Sequence, residues 1–349
     1  MKVQLPVLAN VYLKANNNRL TMSATNLEMS VSIGMGGKIT EGGEITIPVR
    51  IINDIVNNLP LGQIQLESEK ESLKIKTQDF ESYVLGMNPS DFPIIPYNIG
   101  SNEIKLPSKD LLSAFNLVLF SVSNDETRPT LTGVLMIIKE NELVLVATDG
   151  FRLSQKKLKL KGLKDEVKII VPKNVLSEIT RLVSKEEMLS FSYKKTDKQI
   201  VFGMPNIIVA SRLIEGEFPD FERIIPKETK IKISLDREEF LRSVKLASVF
   251  AKDAANVIKL KVNKDNIEVS AESARSGSQK AKVEAKVVNE DNTKDFVIAY
   301  NCRFIEDLLN SMESDDLLME FSDANAPGLF LNEKDQNFMH IIMPVRIQD

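Results

Sequence analysis

The sequence predicts an α+β chain of three similar domains, each made of two strand–helix–strand halves. The first observation is a helical apolar pattern that returns at long spacing. It runs through Ile51, Ile52, Ile55, Val56 and Leu59, then Val175, Leu176, Ile179, Leu182 and Val183, then Phe304, Ile305, Leu308, Leu309 and Met312. The starts at 51, 175 and 304 lie 124 and 129 residues apart. That period is far beyond the roughly 20–50 residues of solenoid and propeller repeats, so each copy is a domain. The second observation is a β-branched or alternating run before each helix, at 44–49 (EITIPV), 167–171 (VKIIV) and 295–300 (DFVIAY). The third is length: 349 residues hold two or three domains of roughly 150 each, and the repeat decides for three.

The elements follow in order. The first copy opens on LANVYLKANNNRLTMSATN, two strands about an Asn-rich turn, and closes at 90–93 (SDFP) before an apolar, Pro-containing connector at 94–96. The middle copy opens at 102–107 (NEIKLP) and enters a helix from Ser108. That helix buries Leu111, Leu112, Phe115, Leu119 and Val122. A strand pair follows, LTGVLMII and LVLVATDG about the turn KENE, and the copy closes at 217–220 (EFPD) with a connector at 224–226. In the third copy a helix begins at Asp236 with Glu239 three residues on, a capping-box pattern, and its apolar face is Phe240, Leu241, Val244 and Ala247. The strands NVIKLKV and IEVSAES come next. Ala24-Thr25-Asn26, Ala147-Thr148-Asp149 and Ala271-Glu272-Ser273 recur at one place in the repeat. The expected domains are 1–100, 101–226 and 227–349, with the helices gathered on one side of the sheets.

The first copy is shorter than the others. Pro6 aligns with Pro129, an offset of 123, so the copy starts at the second strand of its siblings. Its opening strand and helix are expected either near position −20 or missing from the domain, which would leave part of the sheet uncovered.

Composition narrows the function. A hydrophobic content of 43% with 27% charged residues is that of a soluble globular chain. The single cysteine, Cys302, excludes an internal disulfide and suits a reducing cytoplasm. With one histidine, His340, it leaves too few ligands for a His/Cys metal site. The N-terminal LPVLANVYL has one preceding lysine, a proline and no small-residue cleavage site, so it reads as a strand rather than a signal peptide. The longest charge-free stretch, 111–124, falls short of the ~20 residues that span a bilayer. No carboxylate pair stands out for acid–base chemistry, and no serine has a neighbouring histidine to activate it. His340 reads as a strand side chain and Cys302 as a buried or helix-start thiol. GMGGK at 34–38 lacks the phosphate-loop spacing and falls between strands, so it reads as a hairpin turn.

The net charge of −4 argues against an ordinary nucleic-acid binder, so any contact with a polyanion must come from locally arranged cations. Lys173, Ser177, Arg181 and Lys185 follow one another at i+4 steps, a polar stripe along a helix read over 173–185. Arg242 and Lys245 fall away from the buried face of their helix. Arg50 and Arg303 hold matching positions just before the second-half helices of copies one and three. A solvated helix face explains any one of these. Recurrence across copies points to a shared phosphate-facing surface, which would be sequence-independent and salt-sensitive.

Two segments carry more than pattern: LVATDGFRL at 145–153 and HIIMPVRI at 340–347. With FPDFER at 218–223 and the threefold two-half repeat, the chain resembles the bacterial β sliding clamps, the processivity subunits of DNA polymerase III. The resemblance runs in register through essentially the whole chain. It implies a DNA-clamp fold and a homodimeric, head-to-tail ring of six domains, with helices lining the hole and sheets outside. Duplex DNA would be held topologically and without sequence preference. A closed ring needs only a lining that does not repel phosphate, which reconciles basic helices with an acidic chain. The implied function is non-enzymatic: processivity for the replicative polymerase, with no cofactor, metal or membrane.

The resemblance also implies a peptide-docking pocket between the second and third domains, shared by the polymerase III catalytic subunit, the clamp loader and other proteins bearing a short clamp motif. Its residues correspond here to Arg128 and Leu131, to Thr148, Gly150, Phe151, Arg152 and Leu153, and to Pro219, Arg223 and Ile224. The C-terminal part is Ile341, Met343, Pro344, Val345 and Arg346, with Tyr300 at the rim. Two apolar anchors at roughly 1.5–3 kcal/mol each, plus backbone bonds, reach the micromolar range of about −8 kcal/mol. Phe151 stands where the best-known members have histidine, which makes that wall more apolar, and Gln348-Asp349 extend toward the pocket mouth. Two other readings stay open: a clamp-like peptide-binding scaffold that does not close a ring, to which the short first copy points, and an enzyme with carboxylates at a domain interface.

Overall fold

The computed structural model describes residues 5–100, 103–139, 141–160, 166–183, 188–194, 196–289 and 296–346. In the first copy a 3-10 turn, Pro6–Ala9, leads into β1 (Asn10–Asn16), β2 (Arg19–Thr25), β3 (Met29–Gly36) and β4 (Gly43–Pro48). Helix α1 (Val49–Asn58) and β5 (Gln65–Glu69), β6 (Ser72–Lys76) and β7 (Glu81–Leu85) complete it. The middle copy has β8 (Ile104–Pro107), α2 (Ser108–Leu119), β9 (Gly133–Lys139), β10 (Glu142–Thr148) and β11 (Arg152–Lys159). Its second half is β12 (Val167–Pro172), α3 (Lys173–Leu182), β13 (Met188–Lys194), β14 (Gln199–Met204) and β15 (Ile207–Arg212). The third copy has β16 (Ile231–Asp236), α4 (Arg237–Ala251), β17 (Val257–Val262), β18 (Asn266–Ser273) and β19 (Gly277–Asn289). It ends with β20 (Phe296–Asn301), α5 (Cys302–Ser311), β21 (Asp316–Phe321), β22 (Gly328–Asn332) and β23 (Asp335–Ile342).

Local chemistry sets these elements. Every second-half helix follows directly on a strand, so the apolar period changes from two to 3.6 within one residue step. Asp236 caps α4, its carboxylate accepting from the Glu239 N–H at 2.7 Å, and Asn301 caps α5 through the Arg303 N–H. Pro6 and Pro129 each open a 3-10 turn, where a missing N–H costs nothing. Four details differ from the sequence reading, the first being that α2 ends at Leu119, so Val122 lies in the turn after it. Helix α3 ends at Leu182, short of Lys185, which lies outside the described residues, as do Gln348 and Asp349. Val49 begins α1 instead of ending its strand. Gly34, expected in a hairpin turn, lies within β3, where its missing Cβ admits the Arg19 guanidinium.

The chain divides into two compact units, residues 1–108 with 181–213 and residues 109–180 with 214–349. The first holds an eight-stranded sheet, β4-β1-β2-β3-β15-β14-β13-β8, and a three-stranded sheet, β5-β6-β7. The second holds a twelve-stranded sheet, β12-β9-β10-β11-β23-β22-β21-β16-β19-β18-β17-β20. Sheets therefore run from one copy into the next. β3 pairs antiparallel with β15, with Val31 opposite Val209, and β11 pairs antiparallel with β23, with Leu153 opposite Ile341. A core of the third copy forms where α4 and α5 pack on the sheet through Phe240, Val244, Ile305 and Leu308. The first copy has a small core of Leu13, Ile45, Ile47, Leu73, Ile75 and Val84.

Candidate peptide-docking and phosphate-facing sites

The residues expected to form the docking pocket lie in the second unit, around the β11–β23 joint. The loop before β11 is held by its own side chains. Thr148 Oγ1 donates to the Arg152 carbonyl at 2.6 Å and accepts from the Gly150 N–H. Asp149 Oδ1 accepts from the Phe151 and Arg152 N–H groups, and its Oδ2 takes Arg152 Nε at 3.0 Å. Gly150 has φ +93°, which a side chain rarely tolerates, and an added Cβ there would sit 3.1 Å from the Arg128 guanidinium. Arg128 in turn donates to the Asp149 carbonyl. Phe151 is 60% exposed on this braced loop.

Beside it run the residues after β23. The Met343 N–H donates to the Phe151 carbonyl at 2.8 Å, and the Val345 N–H to the Ala299 carbonyl at 2.8 Å. Met343 and Val345 are exposed, Pro344 is half-buried and Arg346 is exposed. The 3-10 turn Phe221–Ile224 supplies a third element. Phe221 is anchored in one core cluster with Leu153 and Ile341, while Pro219, Arg223 and Ile224 stay at the surface. Exposed Phe151, Ile224, Met343 and Val345 are large apolar side chains of the kind that mark a binding surface.

Burial divides the expected pocket into surface and support. Leu131, Thr148, Leu153 and Ile341 are buried beneath it, so they shape the groove without forming its face. Tyr300, expected at the rim, is a correction. It is fully buried, its ring against Phe321 and Phe330 and its hydroxyl against Gly328, and burial pushes its pKa far up. On β20 the consecutive residues Ile298, Ala299 and Tyr300 are all buried, so Tyr300 sits inside with its neighbours. Arg152 is nearly buried too. Its Nη1 meets Asp307 Oδ2 at 2.7 Å, and its guanidinium lies 4.6 Å from the Phe304 ring centre and 5.5 Å from that of Phe120. It holds the loop to helix α5 instead of facing a ligand. Asp307 and Phe304 are partners that no sequence motif marked; their only signal was their place on a repeat helix.

His340 corrects the reading that no serine neighbours a histidine. Its Nδ1 lies 2.8 Å from Ser154 Oγ, which is 2.8 Å from Ser121 Oγ. All three are fully buried, so no substrate reaches them, and desolvation first, then the Arg152 charge, pushes the His340 pKa well down. Cys302 is both buried and the first residue of α5.

The expected phosphate-facing cations differ among themselves. Arg242, Lys245 and Arg303 are exposed in the second unit, and Arg50 and Arg181 are exposed in the first. Arg242 is 4.0 Å from Glu238 one turn earlier. Lys173 is half-buried, with Nζ 3.5 Å from Asn124 Oδ1, and desolvation with the Arg152 charge lowers its pKa despite the opposing pull of Asp307.

A threefold two-half repeat, sheets continuous from copy to copy and an apolar surface at the second joint define a clamp-type subunit. Three family models match in succession: the N-terminal domain of the DNA polymerase III beta subunit over residues 1–96, its central domain over 105–220 and its C-terminal domain over 222–346. The chain belongs to the DNA polymerase III beta subunit family. It is similar to the beta sliding clamp of Staphylococcus aureus, with 30% identity over 99% of this chain and 93% of that protein. Among solved structures it superposes on the DNA polymerase sliding clamp of Bacillus subtilis with a TM-score of 0.93 at 24% identity, covering 99% of this chain and 93% of that one. A DNA polymerase III beta chain from Streptococcus pneumoniae matches with a TM-score of 0.91 at 26% identity, over 99% and 93%.

Proposed function

We propose that two copies of this chain close head to tail into a ring around duplex DNA and hold the replicative polymerase on its template. The reading is carried by the two internal joints. The last strand of one copy's first half pairs antiparallel with the last strand of the next copy's second half, as β3 with β15 and β11 with β23. A third joint of the same kind needs β19 of one protomer and β7 of another. Both are available among the described residues: β7 pairs only with β6, and the Gly277–Glu284 part of β19 only with β18. The Gly86 N–H points back to the Glu71 carbonyl, so by alternation the Tyr83 and Leu85 N–H groups point outward. Leu85 on that edge is 78% exposed.

In this reading Arg50, Arg181, Arg242, Lys245 and Arg303 face phosphate inside the ring, Lys173 contributes from a partly desolvated position, and the retained DNA needs no base contact. The groove of Phe151, Ile224, Met343 and Val345 takes apolar anchors of a short peptide from the polymerase catalytic subunit, the clamp loader and other clamp-motif proteins. The clamp acts in the cytoplasm beside the replication machinery and performs no catalysis itself. None of the described helices is long and apolar enough to cross a membrane. The test is retention after loading. The protein should stay on circular DNA and leave when the circle is cut. Equal loss from circular and linear DNA contradicts ring closure and leaves a peptide-binding scaffold.

A further inference from the structure

The two internal joints share one register, and it fixes what a third joint brings together. At the first, Ser30 stands opposite Ala210 and Ser32 opposite Ile208. At the second, Leu153 stands opposite Ile341 and Gln155 opposite Met339. Ala24, Ala147 and Ala271 hold one place in their hairpins, so their cross-strand partners Val31, Ser154 and Gln279 are equivalent. Lys280 therefore takes the place of Ser32 and Gln155, and Ser278 that of Ser30 and Leu153. The facing strands align through the bridges Thr46–Met87 and Ile170–Ile214, because Thr46 and Ile170 each lie three residues before their helices, α1 and α3. On that alignment β7 has Tyr83 where β15 has Ala210, Ser82 where it has Val209, and Glu81 where it has Ile208.

In this register Lys280 of one copy meets Glu81 of the other. Two residues further on, where Gly34 and Asn206 are hydrogen-bonded at the first joint, Lys282 meets Asp79. All four side chains are exposed in the single chain. The internal joints have no charge at the Lys280–Glu81 place, only Ser32 with Ile208 and Gln155 with Met339. Glu81 already lies 3.3 Å from Lys74 on its own sheet, and Lys280 lies 3.7 Å from Glu268 on its own. Brought together they form a run of alternating sign, Lys74–Glu81–Lys280–Glu268, a network rather than an isolated surface pair. The core-facing side of the strands carries an independent sign. At the second joint Ser154 Oγ lies 2.8 Å from His340 Nδ1, a polar contact that crosses the joint. The equivalent residues at the third are Gln279 and Ser82. Gln279 Oε1 is buried and has no hydrogen-bond partner among the described residues. An orphaned acceptor is costly, and a donor from a second strand removes the cost.

We propose that β19 and the β7 of a second copy join in this register, with Lys280 on Glu81 and Lys282 on Asp79 at the surface and the Ser82 hydroxyl donating to Gln279 Oε1 beneath. The inference rests on the ring reading above and gives its closing joint a register and a chemistry. The basic residues stand on the β19 side and the acidic ones on the β7 side, so each end of the chain repels its own kind and accepts the other. That polarity enforces head-to-tail pairing. Exposed ion pairs are screened by salt, so rising ionic strength weakens the seam between copies. The internal joints, uncharged at these positions, keep each subunit whole while the seam opens.

The test is the dimer dissociation constant of the full chain, measured by sedimentation at low salt. Lys280→Glu and Glu81→Lys should each raise it roughly tenfold or more, by setting like charges opposite one another. Combining the two should return it to within about threefold of the unsubstituted protein. Ser82→Ala should weaken the dimer severalfold, and adding Gln279→Met, which removes the orphaned acceptor, should recover part of that loss. Lys280→Gln with Glu81→Gln should flatten the salt dependence of the dissociation constant. Peptide affinity should be unchanged in every variant, which reports a folded subunit. Single reversals that change nothing, or a double reversal no tighter than the single ones, overturn the register while the ring stands. An unsubstituted protein that stays monomeric at every concentration overturns the ring itself, and the seam with it.

Discussion

The first and third copies share one plan but enclose very different amounts of it. In the third copy two helices lie on the sheet, and Tyr300, Phe321 and Phe330 form a fully buried aromatic cluster. In the first, one helix covers a core of six buried side chains and keeps its own apolar stripe open. The difference teaches that the repeat's stability resides in pairs of halves. A strand–helix unit contributes its burial only when the other half is there to receive it.

That contrast can be broken by substitution, and the largest effect is expected where the third copy meets the middle one. Leu153→Asp places a charge in the sealed β11–β23 core and should cost about 4 kcal/mol or more, read as loss of the folded unit in denaturant titration. Met343→Asp, on the exposed side of the same joint, should leave stability within about 0.5 kcal/mol and abolish peptide binding. Unchanged peptide affinity would remove Met343 from the groove. Next, Leu308→Ala in α5 should cost about 3 kcal/mol and Ile55→Ala in α1, its half-buried equivalent, about 1 kcal/mol or less. Equal costs would mean that the first copy is as well packed as the third.

A smaller effect is expected from Asp307→Asn. The carboxylate is partly exposed while Arg152 is nearly buried, so after discounting for solvent the loss should be about 1–2 kcal/mol. It should also weaken peptide binding severalfold by loosening the Phe151 loop. The smallest is pH dependence. The unfolded chain protonates His340 near 6.5 and the folded chain well below that. Its contribution is fully present above pH 6.5 and is lost as pH falls, by up to about 1.4 kcal/mol per unit. His340→Gln should remove that slope in the second unit, and an unchanged pH profile would show that the imidazole does not titrate with unfolding.

The sequence carried the helices and their order because apolar residues at 3.6 spacing survive divergence between copies, as at Ile51, Val175 and Phe304. It carried the α4 cap because Asp236 and Glu239 act locally. It did not carry the joints. β3 finds β15 across more than 170 residues, and no local pattern announces such a partner. The same limit explains the site. Alternation along β11 and β23 marks Leu153 and Ile341 as one-sided but does not say whether that side is groove or core. Arg152 reads as a binding residue until Asp307, 155 positions away, is seen to hold it. Tyr300 was a rim residue by the resemblance alone, and only the aromatic cluster around it shows which way its ring turns.

In the proposed ring, closure through the β7 edge links the fold to retention on DNA, and Tyr83→Pro isolates it. This substitution removes an N–H that points outward and leaves the β6 ladder intact. The decisive measurement is the lifetime of the loaded Tyr83→Pro protein on circular DNA, with peptide affinity measured alongside. The account predicts a lifetime reduced to that on linear DNA while peptide affinity is unchanged. A variant that stays on circles as long as the unsubstituted protein contradicts closure by this joint.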